Sequence, residues 1–536
     1  MSAHPNRDAR GLGSIRSQNG LRFNAIEGFT STGAATTLRP MRASIAVSSL
    51  VALLGVGCYR ANERVELPDA FVVVPDARRP DAHVEPILPD AGRDVGPIST
   101  CRRPLDCPGQ TCVLDTRIPP VDLADVPLTC GAPVGSGDVA ARCDANSDCR
   151  ENLCALAGGC VVPCIDASDC MAGHQCARIP IVTSSTTLQF AQACTPWIAA
   201  PSSTTVVQNE TVSAMRGGMQ DFPITRFDAP SRLSMFVADR DDDNRFVFTL
   251  RTAGGTQLFD VNTWSIAPQA NPAVAFFQSA TVLMPSGMRD VPRGDDYVVN
   301  LVNGNAAQYR RITVDRTAPG ASIALNFIYV GVSRASATPF VMRMIDRYSE
   351  IVTSMGLIVG STRFTTMPGA LATQHSLIES QSEVGDLLRL SAGAGRPTLN
   401  VFLVRSSTEF LGISGGIPGA INVHGTSNSG IVLTIEELQA IEPMLDEGFA
   451  GVVLAHELGH YQGFPHTSEA DGTVLDVFDD TPECGLTRDD NGDGMLDPFE
   501  CRDFGADYVM FWQGVFSSGR FSPRQQELLR NSTALQ

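Results

Sequence analysis

The sequence predicts a multidomain chain. A disulfide-rich region of cysteine repeats comes first, then a β-sandwich-like domain, then a C-terminal mixed α/β (α+β) domain. Three observations predict it. Twelve of the 15 cysteines crowd into residues 101–194. Short β-prone segments with Gly and Pro turns fill residues 203–333. Beyond residue 334, helical and strand periodicities alternate.

With 536 residues the chain has room for three to four units of ordinary domain size. All 40 basic side chains are Arg, against 58 acidic ones, for a net charge of -18. An acidic chain without a basic stretch is a poor polyanion binder, so nucleic acid is not an expected partner. No uncharged apolar run reaches the roughly 18 residues needed to cross a bilayer. The cysteine count suits an exported protein, because reducing compartments keep thiols unpaired.

Residues 1–58 are an N-terminal extension plus an export signal. Met41-Arg42 opens an apolar run from Ala43 to Gly57 that ends Leu53-Leu54-Gly55-Val56-Gly57-Cys58. It resembles a bacterial lipoprotein signal, with Met41 as the start and Cys58 as the lipidated first residue. Gly55 departs from that pattern, which prefers Leu. The alternative is plain secretion with Cys58 removed or free. Residues 59–100 form a tether: Pro-Asp-Ala recurs at Pro68, Pro75, Pro80 and Pro89, and nothing there can offset the entropy of ordering.

Residues 101–200 hold three rough repeats: Cys101, Cys107, Cys112, Cys130; Cys143, Cys149, Cys154, Cys160; Cys164, Cys170, Cys176, Cys194. Asp106, Asp148 and Asp169 each precede the second cysteine. Disulfides are expected, because the two-residue spacing typical of zinc-binding cysteine pairs is missing. Their pairing is not legible. In residues 201–334, strands are expected at 233–237, 245–252, 296–302, 309–315 and 322–332, with Asn303-Gly304 as a hairpin turn. The acidic stretch Asp239–Asn244 reads as a solvated turn.

Residues 335–536 form the C-terminal domain. Thr338-Pro339 is read as the start of a helix running to Gly356. Segments 357–364, 399–405 and 430–434 read as strands, and Thr434 with Glu437 as a capping box. Gly415-Gly416-Ile417-Pro418-Gly419 reads as a flexible loop.

Residues 456–466 read His-Glu-Leu-Gly-His-Tyr-Gln-Gly-Phe-Pro-His. On a helix, His456 and His460 project from one side about 6 Å apart, so both imidazoles can reach one zinc ion. Gly463 can end the helix in the left-handed conformation, and Pro465 prevents its resumption. The chain then returns His466 to the same ion. Three neutral ligands leave a coordination position for water, as catalytic zinc sites do. Glu457, beside the first ligand, is placed to reach that water. His4, His83, His174, His375 and His424 lack partners at ligand spacing and read as structural or solvated.

The pattern His456-Glu457-x-x-His460-x-x-Gly463-x-x-His466 resembles the long signature of the metzincin zinc metallopeptidases. Asp479-Asp480-Thr481-Pro482 and the cysteine-bounded loop after it are most similar to the pappalysin group. The resemblance implies a methionine turn, which Tyr508-Val509-Met510 suits, with Met510 as an apolar floor beneath the zinc. It further implies peptide hydrolysis, with Glu457 as general base and Tyr508 as an oxyanion partner. The expected partner is a protein or peptide substrate. The Cys-rich and β modules would take an envelope ligand, and the membrane would be met only through the lipid anchor. The competing classes are a surface-binding or adhesion protein with an incidental peptidase domain, and a metal-dependent hydrolase of non-peptide bonds.

Residues 489–500 have the calcium-loop spacing of an EF-hand: Asp489, Asn491, Asp493, the Met495 carbonyl, Asp497 and Glu500, with Gly494 at the sharp turn. Pro482, Cys484 and Cys501 stand where flanking helices would be. A lone structural calcium loop closed by a Cys484–Cys501 disulfide is therefore expected.

Overall fold

A computed structural model describes residues 100–196, 199, 204–213, 219–224, 233–239, 247–255, 257–260, 279–284, 297–302, 308–316, 320–395, 397–445, 448–476, 478–514 and 519–536. The export signal with Cys58, the tether up to residue 99 and residues 240–244 lie outside the described residues. Among the described residues no helix is long and apolar enough to cross a membrane.

The cysteines pair within each repeat, first with third and second with fourth. The bridges are Cys101–Cys112 with Cys107–Cys130, Cys143–Cys154 with Cys149–Cys160, and Cys164–Cys176 with Cys170–Cys194. The recurring Asp has a local task. Asp106 accepts the Arg102 and Arg103 amides, Asp148 those of Asp144 and Ala145, and Asp169 those of Ile165 and Asp166. Each carboxylate thus satisfies the orphan donors that open a short 3₁₀ turn. Those amides hold all three acids below the usual carboxylate range.

Between residues 204 and 316, eight described strands form two four-stranded antiparallel sheets. One orders Gln257–Asp260, Val247–Thr252, Tyr297–Val302 and Met219–Ile224; the other orders Ser279–Met284, Leu233–Asp239, Gln308–Arg316 and Thr204–Ser213. Successive strands pass between sheets except Val247–Thr252 and Gln257–Asp260, which pair as neighbours. The expected turn Asn303-Gly304 lies outside the described residues, and the described strands on either side of it do not pair with each other. The strands on either side of it pair in different sheets, so long-range pairing overrides the local signal.

The C-terminal unit is built on a five-stranded sheet. Its elements are β1 (Ser322–Val330), α1 (Arg334–Thr353), β2 (Ile358–Met367), α2 (Gly369–Gln374), α3 (Gln381–Arg389), β3 (Leu399–Val404), β4 (Gly412–Ser414), β5 (Ile431–Thr434), α4 (Ile435–Ile441), α5 (Phe449–Tyr461) and α6 (Pro523–Arg530). The strand order is β2-β1-β3-β5-β4, parallel except for the antiparallel edge strand β4. β1, read from sequence with the preceding β segments, pairs inside this sheet between β2 and β3.

β1 is apolar almost throughout because both of its faces are covered. Leu325, Phe327 and Tyr329 pack with α1 and α5, while Ile328 and Val330 face the other way. That second face is covered in part by the Cys-rich region, through Leu156, Leu188 and Phe190. A buried polar network seals the junction. Arg363 of β2 donates to the carbonyls of Leu156 (2.8 Å) and Cys143 (3.2 Å) and to Asn326 Oδ1 (3.2 Å). Asn326 Nδ2 donates to Asn400 Oδ1 at 3.0 Å, and Asn400 contacts His424 Nδ1 at 3.0 Å.

Three local expectations need correction. α1 begins at Arg334, with Ser333 as its cap, five residues before Pro339. Pro339 sits early in the helix, where Thr338 Oγ1 donates to the Arg334 carbonyl (2.6 Å). The Thr434–Glu437 capping box is not formed: Thr434 Oγ1 donates to the Leu411 carbonyl and Glu437 accepts from Ser406. The glycine-rich segment 415–419 is packed, with Gly419 so close to Tyr461 that an added Cβ would lie 2.0 Å from the ring.

Candidate metal centre

All thirteen residues of α5 are buried. It lies between the sheet and the C-terminal segment, in the same core cluster as α1. His456 and His460 stand one turn apart along it. After Tyr461 the helix stops: Gly463 takes φ +94°, its amide donates to the His460 carbonyl, and Phe464 donates to that of Gly459. The reversal brings His466 back, so that the Nε2 atoms of His460 and His466 lie 3.0 Å apart and those of His466 and His456 3.3 Å.

Each ring is fixed through its other nitrogen. His456 Nδ1 donates to the Val509 carbonyl at 2.6 Å and His460 Nδ1 to the Phe464 carbonyl at 2.7 Å. His466 Nδ1 donates to Glu469 Oε2 at 2.9 Å. A carbonyl oxygen only accepts, so each of the first two Nδ1 atoms carries the proton. Burial pushes the His456 imidazole down to about 3 and, with its neighbouring histidines adding, the His460 imidazole well below its ordinary value. Neutral rings protonated at Nδ1 present lone pairs at Nε2. Three lone pairs gathered this closely repel one another unless a cation lies among them, so the donor set fits a metal ion. Among the described residues the other comparable gatherings are cysteines already joined in disulfides, which removes the cysteine–zinc alternative.

The surroundings are built to the same end. Met510 is fully buried, and its sulfur lies so close to Gly459 that a Cβ there would have to displace it. Met510 also accepts the Thr467 amide (2.8 Å), so one short segment supports both His456 and the neighbour of His466. Glu457 is buried against the edge strand β4, where a Cβ on Gly412 would meet its Cγ at 2.7 Å and Oε1 at 2.8 Å. The ring of Tyr508 is buried beneath the Arg520 guanidinium (4.4 Å), which also pairs with Asp507 (2.6 Å).

The loop 489–500 is closed by a Cys484–Cys501 bridge. Asp489 accepts the amides of Gly492, Asp493 and Gly494; Asn491 Oδ1 accepts that of Asp493; Asp493 accepts that of the exposed Met495. Asp497 accepts from Phe499 and Glu500, and Glu500 from Asp490, Asn491 and Asp497. Gly494 turns the chain at φ +82°. These carboxylates engage the loop's own amides. Among the described residues they are not gathered as the three histidines are. Leu496, fully buried, ties the loop inward: its amide donates to Ala470 (2.6 Å), and Trp512 Nε1 donates to its carbonyl (2.9 Å).

Sequence reasoning missed Glu469, Gly412 and the Val509 carbonyl. A lone Glu in a short turn, a strand glycine and a main-chain oxygen carry no motif of their own.

No family model matches the chain, and no curated protein matches it in sequence. Among solved structures it resembles metalloproteinase-II from Bacteroides fragilis at 12% identity and TM-score 0.20, over 40% of this chain and 61% of that one. It resembles IMPa from Pseudomonas aeruginosa, solved with an O-glycopeptide, at 12% identity and TM-score 0.12, over 49% and 32%. The chain thus spans about three fifths of the first and a third of the second.

The carboxyl of Asp476, in the segment that returns from the third histidine, is withdrawn from solvent. Its Oδ1 accepts from Thr481 and Phe478, while Oδ2 is buried without a partner. Burial pushes it up to about 7. A carboxyl raised in the folded state favours folding at low pH, and that contribution is lost as pH rises from its ordinary value towards 7. Asp476→Asn keeps the Oδ1 acceptor and removes the charge. In calcium-free buffer it should raise the melting temperature at pH 8 by roughly 2–4 °C, with the gain vanishing near pH 4. Melting curves across that range check this, and a gain independent of pH counts against it.

Proposed function

We propose that the chain is an exported, lipid-anchored zinc endopeptidase of metzincin type, most similar to the pappalysin group. The single observation that carries the reading is the convergence of the Nε2 atoms of His456, His460 and His466, with Glu457 next to the first of them. Zinc bound there supplies a Lewis acid that polarises a carbonyl and acidifies a water. Glu457 is the general base: its carboxylate takes a proton from water and passes it to the leaving amine. Met510 and Gly459 supply an apolar floor that keeps α5 and its two rings from shifting. Tyr508 is assigned to the oxyanion, with Arg520 and Asp507 holding its ring. The end position of β4 in the sheet supports a peptide as substrate, since an extended main chain can pair along that edge beside Glu457.

The reading is tested by two substitutions. Glu457→Ala should keep zinc and lose hydrolysis of a casein or peptide substrate by several orders of magnitude, about 10²–10⁴-fold or more. His460→Ala should release the metal, measured by atomic absorption after gel filtration. Near-normal turnover in Glu457→Ala would sink the mechanism.

Export is assigned to the segment Met41–Cys58, with Cys58 lipidated and the modules before the peptidase unit facing an envelope ligand. Mass spectrometry of the mature N-terminus reads this directly. A diacylglyceryl group on Cys58 is expected, and processing at another residue contradicts the anchor.

Asp489, Asn491, Asp493, Met495, Asp497 and Glu500 are assigned to one structural calcium ion. The spacing supports this, as does the inward tie at Leu496, through which loop order reaches Ala470 and Trp512. A calcium-selective chelator should lower both the melting temperature and peptidase activity while zinc stays bound. Asp493→Ala should do the same and abolish the calcium response. Unchanged melting in both experiments leaves only an acidic turn.

A further inference from the structure

The three rings of the centre are not held alike. His456 and His460 stand on a fully buried helix, and each donates its Nδ1 proton to a main-chain carbonyl. His466 lies beyond the helix, in irregular chain after Pro465, where no helical ladder sets its orientation. Its Nδ1 partner is the carboxylate of Glu469, at 2.9 Å. That residue is itself fixed. Its amide donates to the Val474 carbonyl (3.0 Å), its carbonyl accepts from Gly472 (2.9 Å), and Ser468 bridges to Leu475. The Glu469 side chain is 20% exposed, which weakens solvent screening of the contact.

We propose that Glu469 is a positioning residue of the metal centre. It holds His466 in the tautomer that presents Nε2 and supplies negative charge one imidazole away from the ion. This rests on the zinc reading above. Three neutral imidazoles offer a dication no charge compensation, and a carboxylate behind one of them makes that ring a stronger donor. Glu469 is a carboxylate bonded directly to a ligand ring. Removing it frees a ring that lacks helical support and leaves the buried charge less balanced.

The test is zinc affinity of the full chain, measured by competition with a chromogenic chelator after metal stripping. Glu469→Gln preserves the shape and one acceptor but not the charge. It should bind zinc about 10-fold more weakly, with the melting temperature of the metal-free protein unchanged. Glu469→Ala, which loses both, should approach 100-fold. Wild-type affinity in Glu469→Gln overturns the proposal and leaves an ion pair without a role at the metal. His460→Ala run alongside separates the two claims: if it too binds zinc as the wild type does, the metal centre itself is wrong, whatever Glu469 does.

Discussion

Three imidazole Nε2 atoms brought together, with that of His466 within 3.3 Å of the other two, are an unstable arrangement unless the chain forces it or a cation rewards it, and this chain invests several elements in forcing it. α5 is buried over its whole length, so His456 and His460 cannot swing out to water. The left-handed turn at Gly463 returns His466, and the segment around Met510 binds His456 from beneath. Most of what is unusual in the C-terminal unit serves that cluster: a glycine against a sulfur, a glycine against Glu457, and a carbonyl aimed at a ring.

The sheet that supports α5 depends on a partner the domain plan does not suggest. Parallel strands need cover on both faces. Here one face takes α1 and α5, and the other takes α3 together with apolar residues of the Cys-rich region. Arg363 and Asn326 would be a costly pair to bury alone. They are tolerable because carbonyls of Cys143 and Leu156 complete their hydrogen bonds.

What was legible in the sequence follows from which forces act locally. Helix geometry turns a spacing of four into two rings on one side, and a glycine followed by proline forces a reversal, so the histidines announce themselves. The strand cores of the C-terminal sheet were readable from their apolar runs. The start of α1 was not, because a proline within a helix's opening turns looks in sequence like its first residue. The Asn303-Gly304 turn misled for a different reason: the flanking strands gain more from partners in separate sheets than from each other. Glu469 stayed hidden because its role depends on a turn placing it against a residue only three positions away.

The Cys-rich cover on the sheet has a consequence for where and when the molecule can be completed. Its six bridges do not persist in a reducing compartment. Until they close, Leu156, Leu188 and Phe190 have no stapled scaffold to present them, and the apolar residues they cover on the sheet remain wet. A chain whose cysteines are still reduced therefore carries a C-terminal unit with one side of its sheet unfinished. Oxidation of the six pairs supplies the missing layer, which makes assembly of the C-terminal unit depend on the redox state of a region more than 100 residues away in sequence.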